Sequence, residues 1–330
     1  MYYDTNQSFN SFGGLRLMNN KVLVLGATGG TGQVVVNELL KRHVDVRVFG
    51  RNADRLQHLW PNVEFRVGDV FNVQDIVQAG RDVSLIIQCA AIPYHETVAR
   101  QVPLGQAVMR AAQQLGARVT FIDGLYAYGV RQSAPMPESA ALRPVTRKGR
   151  AKADLTKLLF SEQFTDVPVA LLRLPDYYGP TARKASYLGS TLINIAAHKV
   201  SAYIGPKRVQ REYVYLPDAA VMIVNVALSA AAYGQTWNIP GQRITGNNLI
   251  KIAKRSANDR LPVLTMNKLL LRVSGLFNQD MKEIVEMYYL TQKPIYLAGN
   301  KYEKSFGKIV KTPFEVGIEQ TISNIQKKVK

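Results

Sequence analysis

The chain has 330 residues, 47% of them hydrophobic, and its 42 Lys and Arg residues against 24 Asp and Glu give a formal net charge of +18. This hydrophobic fraction excludes a disordered polycation, and no run reaches the ~20 consecutive apolar residues of a membrane-spanning helix. A single cysteine, Cys89, excludes an internal disulfide, and the four scattered histidines show no metal-ligand spacing, so we expect no metal site.

The segment before the first predicted strand is polar and aromatic where a secretory signal would have an apolar centre. We treat residues 1–18 as a flexible tail with no assigned function and expect a cytoplasmic protein. Basic residues are spread along the chain, with denser groups only at residues 147–152 and 327–330. This distribution favours the solvated basic surface of a soluble enzyme over a nucleic-acid-binding protein.

From residue 21 onward, short β-branched runs alternate with helical stretches. The patterns predict strands at 22–25, 44–49, 63–67, 83–90, 119–122 and 167–172, and helices at 33–42, 53–59, 98–115 and 149–161. Strands that are apolar throughout and are separated by crossover helices form a parallel sheet covered on both faces. The sequence therefore predicts an α/β fold, a doubly wound parallel sheet of the Rossmann type.

Beyond residue 175 the predicted elements become shorter, with a strand at 212–215, a helix at 219–231 and a strand near 236–239. We predict that residues 19–175 form a nucleotide-binding domain and residues 176–330 a smaller substrate-binding lobe, with the strand near 236–239 interleaved with the first domain's sheet. A group of apolar residues in this lobe is interpreted either as the wall of a lipophilic pocket or as core packing: Leu269, Leu270, Leu271, Val273, Leu276 and Phe277.

A glycine-rich turn joins the first predicted strand to the first helix. Gly26, Gly29 and Gly32 allow, in order, the tight turn, the close approach of a pyrophosphate and the close packing of helix on strand. Backbone N–H groups and the helix dipole then face the phosphates. We therefore predict a dinucleotide site whose loop comprises Gly26, Thr28, Gly29, Gly30, Thr31 and Gly32.

The ends of the next strands refine the prediction of the cofactor. The second strand ends in Gly50-Arg51, where a chain that binds NAD would carry an acidic residue for the ribose 2′-hydroxyl. Arginine suits a 2′-phosphate, so NADP is favoured over NAD. Asp69 is predicted either to meet the adenine or to cap the following helix, and Ala90 and Ala91 are small where a ribose must pass.

Further motifs accompany the glycine loop, namely Gly68-Asp69, Tyr128-Gly129 and the runs at residues 173–180 and 211–218. Together they resemble the extended or atypical short-chain dehydrogenase/reductase superfamily, in particular its NAD-dependent epimerase/dehydratase-like branch and the NmrA-like proteins beside it. The resemblance covers about residues 21–312. It implies an NAD(P)-dependent oxidoreductase or epimerase/dehydratase-like enzyme acting on a carbonyl, enone or sugar-nucleotide type of small molecule, and a homodimer paired through the helices at 98–115 and 149–161.

The resemblance breaks at the catalytic motif. In the family a Ser or Thr polarises the reacting oxygen, a Tyr transfers the proton, and a Lys one helical turn later binds the ribose and depresses the Tyr pKa. Here the Ser position falls on Gly124, the Tyr position on Lys148 and the Lys position on Lys152. The resemblance therefore assigns ribose binding to Lys152 and leaves proton transfer without its usual residues.

Tyrosines elsewhere in the predicted site provide one hypothesis for the proton donor. Tyr126 and Tyr128 lie on the loop after the fifth strand, and Tyr177 and Tyr178 follow the sixth. Packing and hydrogen bonding in the pocket wall explain each of them equally well. We take Tyr126 and Tyr128 as catalytic candidates and Tyr126, Asp176, Tyr177 and Tyr178 as substrate contacts, with turn capping as the alternative for Asp176.

Lys148 provides a second hypothesis, because the like charges of Arg147, Arg150 and Lys152 would lower its pKa toward a usable range. The alternative is that residues 147–152 are the solvated basic start of a helix. A third hypothesis involves no catalysed reaction. In it the protein is a non-catalytic NADP(H)-binding regulator that senses redox state, as the NmrA-like relatives imply.

Overall fold

The computed structural model describes residues 21–182, 186 and 188–329, and the predicted tail at residues 1–18 lies outside the described residues. The strands are β1 (Val22–Leu25), β2 (Val46–Gly50), β3 (Glu64–Val67), β4 (Leu85–Gln88), β5 (Arg118–Gly124), β6 (Val169–Leu174), β7 (Asp176–Tyr178), β8 (Ser201–Ile204), β9 (Gln210–Tyr215), β10 (Gln235–Asn238), β11 (Gln242–Thr245) and β12 (Val263–Met266).

The α-helices are α1 (Gly30–Lys41), α2 (Ala53–Leu59), α3 (Val73–Ala79), α4 (Thr97–Leu115), α5 (Arg147–Leu159), α6 (Gly189–Ala196), α7 (Leu216–Leu228), α8 (Gly246–Ala257), α9 (Lys268–Ser274), α10 (Gln279–Ile284), α11 (Tyr289–Gln292), α12 (Asn300–Phe306) and α13 (Phe314–Val329). Among the described helices, none combines the length and the hydropathy that crossing a membrane would take.

Seven strands form one sheet in the order β10-β6-β5-β4-β1-β2-β3, and every pairing in it is parallel. The chain builds outward from β1 in both directions, so the strand order reverses between β1 and β4. A reversal of this kind opens a crevice beyond the carboxyl ends of the strands, where ligands bind in such folds. The prediction of a doubly wound parallel α/β sheet is confirmed.

Two apolar layers bury the faces of this sheet. On one face Val24 of β1 belongs to a cluster with Leu39 of α1 and Ile223 of α7. On the other face Leu23 belongs to a cluster with Val108 of α4 and Leu155 of α5. Each residue of β1 is buried, which explains why this strand is apolar throughout rather than alternating.

The predicted elements differ from the observed ones mainly at their ends. The helix predicted from residue 33 begins at Gly30, and the helix predicted at 219–231 spans Leu216–Leu228, with a proline in its first turn. The sequence analysis expected a helix after Asp69 without giving its bounds. That helix is α3, and its N-cap is Asn72 rather than Asp69, since the Asn72 side-chain oxygen accepts the Gln74 N–H at 3.0 Å.

The residues after β6 add a second, smaller core. One sheet has the order β11-β9-β7 and another pairs β12 with β8. Leu192 of α6, Leu249 of α8, Ile318 of α13 and Tyr213 of β9 share one buried cluster. The strand β10 does not join this part of the fold, because it pairs with β6 at the edge of the large sheet.

Candidate active site

The carboxyl edge of the large sheet gathers most of the candidate residues. Gly26 follows β1, Ala90 lies just after β4, Gly124 ends β5 and Asp176 begins the segment after β6. Parallel strands present their carboxyl ends at one edge, so residues from distant parts of the sequence meet there.

The glycine loop is shaped by close backbone contacts. Gly26 has φ +69°, and a Cβ on it would lie 2.3 Å from the Ala90 Cα. A Cβ on Gly32 would lie 2.3 Å from the Gly26 carbonyl oxygen. The Gln88 side chain holds the facing loop, because its amide pairs with both the N–H and the carbonyl of Ala90. The loop therefore tolerates no side chain at Gly26 or Gly32.

The N-terminus of α1 is suited to an anion. Its N-cap is Gly29, which offers no side chain to the first turn, and that turn contains no acidic residue. The first N–H groups of a helix have no partner within the helix, and the dipole adds positive potential there. Thr28, Gly30 and Thr31 are half-buried around this end. A dinucleotide pyrophosphate fits this geometry, with the backbone of the loop as its cradle.

Arg51 lies beside the loop on the β2 side. The Phe49 carbonyl, two residues earlier, accepts the N–H groups of Gly26 and Ala27 at 3.1 and 3.2 Å. Arg51 is exposed, and within the described part of the chain it makes no ion pair. Its guanidinium is thus available to an anion next to the loop.

Asp69 is exposed and is held by a local turn. Its carboxylate accepts the Phe71 N–H at 3.0 Å, and its own N–H donates to the Asp75 carboxylate at 2.8 Å. The helix cap itself is Asn72. A turn-stabilising role describes Asp69 in this structure, and a contact with the adenine stays a prediction. Ala91 is exposed at the same edge.

Lys152 projects from α5 toward the end of β5. Its ammonium forms an ion pair with the buried carboxylate of Asp123, lies 3.4 Å from the Gln101 Oε1 and lies 5.9 Å from the centre of the Tyr126 ring. Among the described residues, the second carboxylate oxygen of Asp123 has no hydrogen-bond partner. Sequence reasoning missed Asp123, although it directly precedes Gly124.

Lys148 is fully buried, and its surroundings differ from those expected. Its ammonium pairs with the Glu283 carboxylate and, at 2.8 Å, with that of Glu286, and it lies 4.8 Å from the centre of the Tyr94 ring. The premise that like charges surround Lys148 is therefore wrong, because two carboxylates enclose it. Arg147 stays at the surface, where its backbone N–H donates to Glu286 at 3.1 Å.

Tyr128 is fully buried beneath the edge. Its hydroxyl donates to the Asn238 Oδ1 at 3.1 Å, and the Arg173 guanidinium lies 4.7 Å from its ring centre. Burial raises the pKa of Tyr128 to about 12. These contacts favour the packing alternative for Tyr128 over proton transfer.

Tyr126 and Gly124 lie in more open surroundings. Tyr126 is half-buried next to Lys152, in a short 3₁₀ turn that follows β5. A Cβ on Gly124 would meet no heavy atom within 4 Å. The edge after β5 therefore has free space at the family's Ser position and a phenol beside the family's Lys.

The residues after β6 face different surroundings. The Asp176 carboxylate accepts from Arg211 at 3.4 Å, so it belongs to an ion pair rather than to a simple turn cap. Tyr177 packs beside Leu216. The buried Tyr178 ring stacks on Phe314 with ring centres 5.6 Å apart, and burial raises its pKa. Tyr178 thus belongs to the core of the second lobe.

The chain is similar in sequence to known proteins. A UDP-glucose 4-epimerase from Rickettsia bellii (strain OSU 85-389) is 22% identical over 250 residues, which cover 72% of this chain and 70% of the relative. A mouse protein, sterol-4-alpha-carboxylate 3-dehydrogenase, decarboxylating, is 37% identical over 75 residues, or 22% of this chain and 19% of that protein.

Solved structures show the same fold. The UDP-glucose 4-epimerase of Thermotoga maritima, solved with UDP-glucose, has a TM-score of 0.76 at 18% identity and covers 94% of this chain and 100% of its own. The dTDP-glucose 4,6-dehydratase of Bacillus anthracis, solved with NAD, has a TM-score of 0.75 at 17% identity, with 93% and 96% covered. Residues 22–239 match the NAD dependent epimerase/dehydratase family. The chain therefore belongs to this family of pyridine-nucleotide enzymes.

Proposed function

We propose that this protein is an NADP-dependent oxidoreductase or epimerase/dehydratase-type enzyme in which Lys152 keeps the role of the family's Lys and Tyr126 takes the role of the family's Tyr. The observation that carries the proposal is the position of the Lys152 ammonium, which pairs with the Asp123 carboxylate at the end of β5 and lies 5.9 Å from the centre of the Tyr126 ring.

The cofactor is assigned to residues that fit it chemically. The loop from Gly26 to Gly32 holds the pyrophosphate, Arg51 the 2′-phosphate and Lys152 the nicotinamide ribose. Asp69, Ala90 and Ala91 line the adenosine side. When bound, the nicotinamide supplies or accepts a hydride. The absence of an acidic residue at the end of β2 supports NADP over NAD.

Proton transfer is assigned to Tyr126 rather than to Lys148. The Lys148 ammonium is fully buried in its ion pairs with Glu283 and Glu286. Tyr126 is half-buried, and an ammonium beside a phenol stabilises the phenolate that proton transfer leaves behind. Asp123 accepts from Lys152 and fixes the direction in which its ammonium points.

The substrate is assigned to a carbonyl, enone or sugar-nucleotide type of small molecule. Relatives solved with UDP-glucose support the last of these. Tyr126, Asp176 and Tyr177 are the substrate contacts that we retain, since Tyr178 is buried in the second lobe. The Asp176 carboxylate is held by an ion pair with the Arg211 guanidinium.

A titration of intrinsic and nucleotide fluorescence tests the cofactor assignment. We expect NADPH to bind more tightly than NADH, and Arg51→Ala to weaken NADPH binding by roughly 10- to 100-fold, since a charge-assisted hydrogen bond contributes about 1.5–3 kcal/mol. Arg55→Ala is the matched control, because Arg55 is an exposed arginine on the neighbouring helix. Equal affinities for NADPH and NADH would remove the 2′-phosphate assignment.

Turnover of a panel of ketones, enones and nucleotide sugars tests the chemistry. We expect Tyr126→Phe to lower kcat by about 10²- to 10⁴-fold with unchanged NADPH affinity, since this is the usual contribution of a general acid or base. Tyr128→Phe is the control and should retain turnover. Equal kcat losses in the two variants would contradict the assignment to Tyr126.

A non-catalytic NADP(H)-binding regulator is the second candidate function. The observation in its favour is that the family's Tyr and Ser positions hold a buried ion-paired lysine and a glycine. Tight NADPH binding without turnover of any substrate in the panel would support this function over the first.

A further inference from the structure

The segment from β12 to α10 carries a contiguous set of exposed apolar side chains. Leu276 and Phe277 are 79% and 88% exposed, among the most exposed large apolar residues of the described chain. Neither core packing nor a pocket wall, the two interpretations of these residues from sequence, accounts for such exposure. We define the apolar face of α9 as Leu269, Leu270, Val273, Leu276 and Phe277.

The spacing of these residues is that of one helix face. At 100° per residue, positions i, i+1, i+4, i+7 and i+8 occupy about a third of a helix circumference. The turn continues beyond α9, since Leu276 N–H donates to Val273 and Phe277 N–H donates to Ser274. Leu271, on the opposite side, is fully buried with Ile204 and Tyr288. The segment is therefore anchored to the protein by one side and offers the other to the surroundings.

The apolar face carries positive charge on its own helix. Helix α9 contains the basic residues Lys268 and Arg272 and no acidic residue. Both basic side chains are exposed. An apolar face bordered by exposed Lys and Arg on a chain of net charge +18 is complementary to a surface that is both apolar and anionic.

We propose that the apolar face of α9 docks on the surface of an anionic phospholipid bilayer, with α9 in the plane of the interface, Leu276 and Phe277 inserted, and Lys268 and Arg272 at the level of the headgroups. A second copy of the chain is disfavoured as the occupant, because it would bring a second exposed Lys268 and Arg272 to the same contact. The assignment is independent of the proposed function.

The proposed docking face lies next, along the chain, to one wall of the candidate active site. The segment continues directly into α10 and the turn after it, which carry Glu283 and Glu286, the partners of Lys148. The docking face and one wall of the site are thus on consecutive elements of the chain.

Sedimentation of the full chain with vesicles tests the proposal. We expect binding to mixed phosphatidylcholine–phosphatidylglycerol vesicles, weaker binding as NaCl is raised, and little binding to phosphatidylcholine alone. L276S/F277S should lower the partition coefficient at least ~10-fold, since two large apolar side chains no longer insert. K268Q/R272Q should lower it roughly 25-fold, at about fivefold for each charge near the surface.

Matched controls come from other exposed residues. Val310 is 81% exposed, and V310S should bind as the wild type does. K41Q/R110Q removes two exposed charges from the nucleotide-binding domain and should have a much smaller effect than K268Q/R272Q. All of these side chains are exposed, so the variants keep the fold, which circular dichroism verifies.

Three results would overturn the proposal: no binding to the mixed vesicles, binding that L276S/F277S leaves unchanged, or a wild-type dimer in sedimentation velocity that L276S/F277S converts to monomer. The last would assign the face to a second copy of the chain.

Discussion

Replacing Lys148 with Met separates a structural from a catalytic role for this residue. Lys148 is fully buried, with the Glu283 and Glu286 carboxylates on its ammonium. Methionine has a similar length, so the variant removes the charge without leaving a large cavity. Among the described residues, the ion-pair partner left to the two carboxylates is then Arg147, at 3.5 Å from Glu283 and 3.8 Å from Glu286, and the Lys282 charge also acts on Glu283.

The expected loss of stability follows from this geometry. Removing one partner of a fully buried ion pair costs about 3–5 kcal/mol. The two glutamate side chains retain 13% and 21% exposure, so we expect the lower end of that range at neutral pH, about 3 kcal/mol.

The loss of folding stability in Lys148→Met should depend on pH. Burial alone would raise the pKa of Glu283, but the hydrogen bond and charge of Lys148, with the charge of Arg147, hold it below its ordinary value of 4.5. A carboxyl with a lowered pKa stabilises the fold above its unfolded pKa, and this contribution is lost as the pH falls through the folded value. The difference between wild type and Lys148→Met should therefore shrink below pH ~4.5.

Urea unfolding followed by circular dichroism, at neutral pH and again well below pH ~4.5, near pH ~3.5, measures this difference. Arg147→Gln is the control, since the Arg147 side chain is 62% exposed, and we expect it to change the free energy of unfolding by less than ~1 kcal/mol. A loss below ~1 kcal/mol for Lys148→Met, or one that does not depend on pH, would refute the buried ion pair. It would also restore Lys148 as a candidate for proton transfer.

Three further variants test other parts of the structure. Gly26→Ala places a Cβ 2.3 Å from the Ala90 Cα at φ +69°, so fluorescence titration should show loss of NADPH binding; near-native affinity would contradict the loop geometry. Burial raises the pKa of Glu212 to about 7, even though it accepts the Gly241 and Leu297 N–H groups. A raised carboxyl pKa favours the fold at low pH, so wild type should lose up to about 3 kcal/mol relative to Glu212→Gln as the pH rises from ~4.5 to ~7 in urea unfolding; a constant difference would argue against it. Gly124→Ser has free space, since no heavy atom lies within 4 Å of the added Cβ. It should change the free energy of unfolding by less than ~0.5 kcal/mol and raise kcat about tenfold by polarising the reacting oxygen; a fall in kcat would contradict the position of the substrate.

Structural features that depend on a few consecutive residues could be predicted from the sequence. The turn at Gly26, the packing of Gly32 and the N-terminus of α1 depend on a few consecutive residues, so their spacing specifies them. The alternation of apolar strands and helices specified the parallel sheet in the same way. The position of Lys152 at the edge of the sheet was expected from the resemblance, because the family's Lys position falls on this residue.

Contacts between distant residues could not be predicted. Lys148 is 135 residues from Glu283, and only the fold brings the second lobe onto α5. Without that contact, the neighbouring basic residues suggested a repulsive environment. The apolar residues around α9 are a second case in which burial could not be predicted. Periodicity places Leu269 and Val273 on one helix face, but it does not reveal that Leu271, and not this pair, faces the core.

A crystal structure of the protein with NADP and a substrate or substrate analogue bound tests the central claim most directly. We expect the pyrophosphate on the Gly26–Gly32 loop, Arg51 on the 2′-phosphate, Lys152 on the nicotinamide ribose, and the Tyr126 hydroxyl within ~3.5 Å of the reacting substrate oxygen at the nicotinamide C4 face. A nicotinamide that faces the Lys148 ammonium, or that lies out of reach of Tyr126, would contradict the account.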